Sequence, residues 1–253
     1  MATQVIALLA FMQAATPAPP KDGTALLNQM RDAYNGRWFK TVTFVQQTIQ
    51  THPDGVTDTT TWYEALRAPD RLRIDFGDPK AGNGVIYTAD SVYLVRAGKV
   101  ARTAASGNPF LPLIEGVYTQ PLETTVRQLQ PFKFDLTKIR TATYENRPAY
   151  VVGTAFITDT TSPQFWIDQE RLVLVRMVLP LNPAAPEQVT DIRLKDYRQV
   201  SGGWLAVLVE FIRNGQVIQK EQYSDWRGNV DLPADFFVAE KWAAVPHWAA
   251  SSH

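Results

Sequence analysis

The chain has 253 residues, 25 basic and 25 acidic, for a formal net charge of zero, and it contains no cysteine. The balanced charge leaves no electrostatic footprint for nucleic acid or an anionic membrane surface. The missing cysteine removes disulfides, thiol catalysis, thiolate metal sites and a lipidated N-terminal cysteine together.

In chain order, the apolar run VIALLAFM (5–12), followed by the small residues Ala14, Ala15 and Ala18, predicts an exported protein. Two features depart from the signal pattern: no Lys or Arg precedes Lys21, and Pro19 disfavours cleavage after Ala18. The run falls short of the ~20 apolar residues needed to span a bilayer, and no later stretch comes closer, so a soluble mature protein is expected. TPAPP (16–20) reads as a stiff linker. Asp22 or Thr24 can then cap a helix through Asn35, with Leu26, Leu27, Met30, Ala33 and Tyr34 at helical spacing and Gly36 placed to end it.

From Val42 the texture is β. VTFVQQTIQT (42–51) and the return strand 59–66 flank the turn Pro53-Asp54-Gly55. RLRIDF (71–76) alternates without error, so Leu72, Ile74 and Phe76 share a dry face and Arg71, Arg73 and Asp75 a wet one. Short strands at 85–88 and 92–95 and one after Ala97-Gly98-Lys99 complete a meander. NPFLPLIEG (108–116) is too rich in proline for a strand and too apolar for an ordinary loop; it predicts a short helical turn on a greasy surface. Pro121 opens another helix, with Leu122, Val126 and Leu129 on one stripe and Pro131 as its stop.

The remainder predicts strands in pairs: 134–144 with 148–154 around Glu145-Asn146, 164–168 with 172–179 around Gln169-Glu170, and 189–200 with 205–212 around Gly202-Gly203. Asn214-Gly215 predicts the last hairpin most firmly, because both residues tolerate positive φ. A short turn or helix is expected at 232–237. We divide the chain into a signal-like segment and linker (1–20), one domain (21–240) and a C-terminal tail (241–253).

The sequence offers little for catalysis. His52, His247 and His253 are the only histidines and lack metal-ligand spacing; no nucleophile elbow, Walker loop or dinucleotide-binding glycine pattern occurs. Asp225, Asp231 and Asp235 lack the alternating ligands of a calcium loop and read as turn and capping residues. Asp75 and Asp78 read as an outer-face charge and a turn aspartate. No enzyme, cofactor or metal is expected. Instead, a sheet with one dry face and only three short helical pieces has more apolar surface than those pieces readily seal, which favours a second sheet or a cavity, with a fully packed core as the equal alternative.

The order of these pieces resembles the LolA/LolB-type lipoprotein-carrier superfamily across roughly 25–237. The resemblance is carried by the amphipathic first helix, VTFVQQ (42–47), RAPDRLRIDF (67–76), IYTADSVYL (86–94), GNPFLPLI (107–114) in the place of a lid helix, FWIDQERLVLVR (165–176) and the closing 229–237 segment. It implies a mainly β (α+β) fold in which one curved antiparallel sheet forms an unclosed half-barrel and short helices lid its concave face. It also implies a monomeric, non-enzymatic periplasmic protein that binds lipoprotein acyl chains or another lipid and exchanges them with inner- and outer-membrane transport components. The alternative is an envelope sensor or scaffold that uses the same fold to hold a protein partner. Candidate lipid-binding residues are Leu72, Ile74, Phe76, Val85, Tyr87 and Leu94 from the sheet, and Leu26, Met30, Phe110, Leu113 and Ile114 from the lids. The family has an arginine immediately before the proline of the first segment, which holds the lid closed. Here Ala68 occupies that place, and Arg67, one residue earlier, is the candidate latch provided a bulge turns it inward.

Overall fold

Asp22 opens the first helix: its carboxylate accepts from the Ala25 N–H at 2.7 Å, and α1 runs over Gly23–Tyr34. The computed structural model describes residues 18–251 apart from 106 and 183, so the apolar run at 5–12 lies outside the described residues. Leu26, Leu27 and Met30 form the fully buried stripe of α1.

A meander follows, each strand antiparallel to the last: β1 (Thr41–Thr51), β2 (Thr57–Arg67), β3 (Arg71–Phe76), β4 (Gly84–Tyr87), β5 (Ser91–Arg96) and β6 (Lys99–Ala105). A second run comprises β7 (Ile139–Tyr144), β8 (Arg147–Val152), β9 (Gln164–Asp168), β10 (Leu174–Pro180) and β11 (Val189–Lys195). It is completed by β14 (Leu208–Arg213) and β15 (Gln216–Gly228), while β12 (Arg198–Val200) and β13 (Gly203–Leu205) form a separate ribbon. Among the described residues the main sheet has thirteen strands in the order β6-β5-β4-β3-β2-β1-β15-β14-β11-β10-β9-β8-β7. β1 and β15 therefore meet in the middle, and the outer strands β6 and β7 do not pair: the half-barrel is unclosed.

That order explains the lids. The chain must travel from one edge strand to the other, and it does so over the concave face. A π-helical stretch, Pro112–Gly116, runs into α2 (Val117–Thr119) and is followed by α3 (Leu122–Leu129). Leu111, Leu113, Val117 and Leu129 join α1 and the inward face of the sheet in one core. The crossing is tied down at its far end, where the Tyr118 ring stacks on Trp38 with centroids 3.7 Å apart and its hydroxyl donates to the Leu172 carbonyl at 2.8 Å.

Turn chemistry accounts for several hairpins. Glu145 and Asn146 both have positive φ, as do Asn214 and Gly215, which matches the twist two antiparallel strands require. Two predicted strands need correction. The strand expected from Phe134 starts only at Ile139, because Asp135 accepts from the Thr137 N–H and hydroxyl and closes a turn. The strand expected over 189–200 ends at Lys195, because Asp196 sits at φ 55° and turns the chain into the β12–β13 ribbon before β14 re-pairs with β11.

The larger correction concerns the wet face. Arg73 is 2 % exposed and Asp75 0 %, because the C-terminal segment lies across the convex side of β1–β5. Leu232, Phe236 and Phe237 pack on Ala65, and Trp242 packs on Ile86 and Val95. A Cβ at Gly84 would stand 2.0 Å from the Ile74 carbonyl oxygen and 2.6 Å from the Trp242 ring, so only glycine fits beneath this strap. Under it Arg73 forms a bidentate pair with Asp75 at 2.8 and 2.9 Å, its guanidinium held between the Phe236 and Trp242 rings at 4.3 and 3.8 Å.

Candidate functional site

Strand alternation builds a cavity on the concave side. Phe44 and Gln46 of β1, Trp62, Glu64 and Leu66 of β2, and Leu72 and Ile74 of β3 face inward, and Tyr87 of β4 lies next to them. From across the central seam come Val209 and Phe211 of β14 and Glu221 and Tyr223 of β15; Trp204 and Leu205 of the ribbon close one side. Phe110, Leu111 and Ile114 of the crossing segment form the roof. The space has a volume of about 230 Å³. It is mostly aromatic and aliphatic, and among the described residues its walls carry no Arg, Lys or His.

No family model matches the chain, and no curated protein matches it. Solved structures do. A LolA superfamily protein from Nitrosomonas europaea superimposes with a TM-score of 0.54 at 9% identity, over 86% of this chain and 97% of its own. A domain put forward as an outer membrane lipoprotein-sorting protein, from Vibrio parahaemolyticus, gives 0.53 at 12%, over 86% and 97%. The fold is that of the LolA superfamily. A DUF1329 family protein from Desulfovibrio piger shares it, with a TM-score of 0.58 at 14% identity over 85% of this chain and 95% of that one.

Within this LolA fold the residues singled out from the sequence fall into three groups. Leu72, Ile74, Tyr87, Phe110 and Ile114 line the cavity. Leu26, Met30, Leu113 and Val85 are buried core between lids and sheet and do not reach the open space, while Phe76 lies beside the Trp62 ring at 4.8 Å, outside it. Leu94, opposite Val85 on β5, is part-exposed and also outside.

Arg67 is not a lid latch in this structure. The β1–β2 register runs unbroken from Thr41 opposite Arg67 to Thr51 opposite Thr57, so no bulge turns Arg67 inward. Its guanidinium instead donates to the Leu232 and Pro233 carbonyls and lies over the Phe237 ring at 4.9 Å, holding the C-terminal strap. The lid's own carboxylate, Glu115, is completely buried with neither oxygen partnered.

The polar residues of the cavity were not among those candidates. Glu64 is 5 % exposed, stands opposite Phe44 and Ile74 in the sheet, and has no hydrogen-bond donor among the described residues. Burial, reinforced by the charge of Glu221, pushes its carboxyl well above the usual range. Glu221 accepts from the Tyr223 hydroxyl at 2.5 Å and from Gln219 at 2.6 Å; burial raises it too, and those hydrogen bonds with that of Gln46 oppose the rise. The alternation Trp62, Glu64, Leu66 was the available signal: an acid in the middle of an inward apolar stripe.

These carboxyls set a pH dependence. Burial raises Glu64, Glu221 and Glu115, so each keeps its proton in the folded chain at pH values where the unfolded chain has lost it. The folded state then binds more protons, and stability, full below the ordinary carboxyl value of 4.5, falls as pH rises through the raised values. Glu115→Leu should stabilise the protein at pH 8 by about 1–3 kcal/mol, since it removes two unpartnered buried oxygens. Urea midpoints at pH 5 and pH 8 test this: the drop between them should be smaller in the variant.

Proposed function

We propose that the protein is a non-enzymatic carrier of the bacterial envelope that shields acyl chains of lipoproteins, or of another lipid, between its sheet and its lids. On this reading it works in the periplasm and passes its cargo between inner- and outer-membrane components. The observation that supports it most is the apolar cavity lying directly beneath the one segment that crosses the concave face, roofed by Phe110, Leu111 and Ile114. Each methylene moved from water into such a space contributes roughly 0.8 kcal/mol, so a single chain of moderate length suffices for binding.

The size of the cavity adds a mechanical requirement. A space of about 150 Å³ holds benzene, so the 230 Å³ found here accepts only part of a long acyl chain while the lids are closed. Uptake of a whole chain needs the 111–119 stretch to lift from the sheet, and its return commits the cargo. Among the described residues no helix is long and apolar enough to cross a membrane.

Native mass spectrometry of protein purified from a bacterial envelope, followed by extraction of any bound mass, tests the reading. An acyl-bearing adduct is expected, together with uptake of an acylated peptide by the delipidated protein. Bare protein that also refuses the acylated peptide overturns the carrier and leaves a protein-binding scaffold as the reading to pursue.

A further inference from the structure

An acyl carrier needs only grease, yet this cavity holds two carboxyls. Glu64 comes from β2 and Glu221 from β15, on opposite sides of β1, and Tyr223 feels the charge of both. Glu64 is the sharper anomaly. It is 5 % exposed, and its carboxyl, on the cavity wall, has no donor among the described residues. A carboxyl on the cavity wall that no protein donor engages has its hydrogen-bonding capacity free for a group entering with a ligand.

The rest of the wall says which donor. Trp62, Tyr87, Trp204, Tyr223 and Trp226 line the same space, and among the described residues no cationic side chain is there to meet an anion. Rings attract a cation through their negative faces, and carboxylates neutralise it. A fatty-acid or phosphate head would instead meet two acids and no counter-charge.

We propose that the cavity ends in a cation-recognition site, Glu64 and Glu221 framed by aromatic rings, and that its preferred ligand is an amphiphile whose apolar body carries a protonated or quaternary amine. The proposal rests on the carrier reading, since it names the head that accompanies the buried chain. In the empty cavity burial favours the neutral form of Glu64; an entering ammonium supplies the missing charge and donors and favours the carboxylate, so ion-pair formation is linked to loss of a proton to solvent. Tyr87, Tyr197, Glu221 and Tyr223 are the other titratable groups on the wall, and the three of them that are tyrosines are raised by burial and stay neutral.

Calorimetric titration with decylamine, decanol and decanoate at pH 7 tests the proposal, because the three share a chain and differ in the head. Decylammonium should bind at least tenfold more tightly than decanol, and decanoate more weakly than either. Repeating the amine titration in buffers of different ionisation enthalpy should show net proton release, which decanol should not cause. Glu64→Gln should bring the ratio of amine to decanol affinity, both measured on the variant, down to near one and remove the proton release; Glu221→Gln gives a second, independent reading if the first variant folds poorly. Equal affinity for the amine and the alcohol, or a preference that survives both substitutions, overturns the cation site alone. Failure of all three ligands to bind overturns the carrier reading and this proposal together.

Discussion

Arg73→Ala should destabilise the protein by about 3–5 kcal/mol, the usual cost of leaving a buried charge without its partner. Asp75 would remain completely buried with both guanidinium hydrogen bonds gone and only the His247 ring, 3.2 Å away, to face it. The rings of Phe236 and Trp242 would lose the cation they sandwich, and with it the anchor of the strap over β3 and β4. At about 2–4 °C per kcal/mol for a chain of this size, the thermal midpoint should fall by roughly 6–20 °C. Arg73→Met combined with Asp75→Leu should recover most of the loss, because an apolar pair of similar volume leaves nothing uncompensated. A single substitution costing under about 1 kcal/mol would mean that the strap is held by its apolar contacts alone.

The second large effect is on binding. Ile74 lies directly opposite Glu64 on the cavity wall, so Ile74→Arg places a guanidinium one cross-strand step from the unpartnered carboxyl. The new side chain should pair with Glu64, project into the 230 Å³ space and exclude the ligand. Affinity for an acylated peptide should drop more than a hundredfold, while far-ultraviolet circular dichroism and the thermal midpoint stay close to those of the parent, since the introduced charge has a partner. Retained binding in the folded variant would move the acyl site elsewhere.

How far the sequence could be read depended on how local the cause was. β3 and β9 were legible to the residue, since alternation and flanking turns are written in the strands themselves. The Asn214-Gly215 hairpin was legible for the same reason: two residues carry the whole turn. The β12–β13 ribbon was not, because its origin is a left-handed Asp196, a conformation that no hydrophobic pattern announces.

The site divides along the same line. Periodicity told the two faces of β3 apart and put Leu72 and Ile74 on the inner one. It could not say that the other face is also covered, because the cover comes from Leu232, Phe236 and Trp242, about 160 residues downstream in a segment without regular period. Nor could it reveal the Glu64–Glu221 pairing, which exists only because β2 and β15 flank the same strand. Arg67 is the converse case: its failure as a latch follows from an unbroken strand register, which the count of residues before Pro69 already implied.

The central seam also dictates an order of assembly. β1 finds one neighbour, β2, within a few residues, but its other neighbour, β15, is the last strand to be made. At 5–20 residues per second on the ribosome, the interval between Thr51 and Gln216 takes roughly 10–30 s. For that time the first six strands stand as a half-sheet whose bare β1 edge can recruit another chain. Sealing it requires contacts between the two ends of the domain, the kind that makes folding slow. A nascent chain of this design therefore depends on whatever shields that edge until its final hairpin arrives.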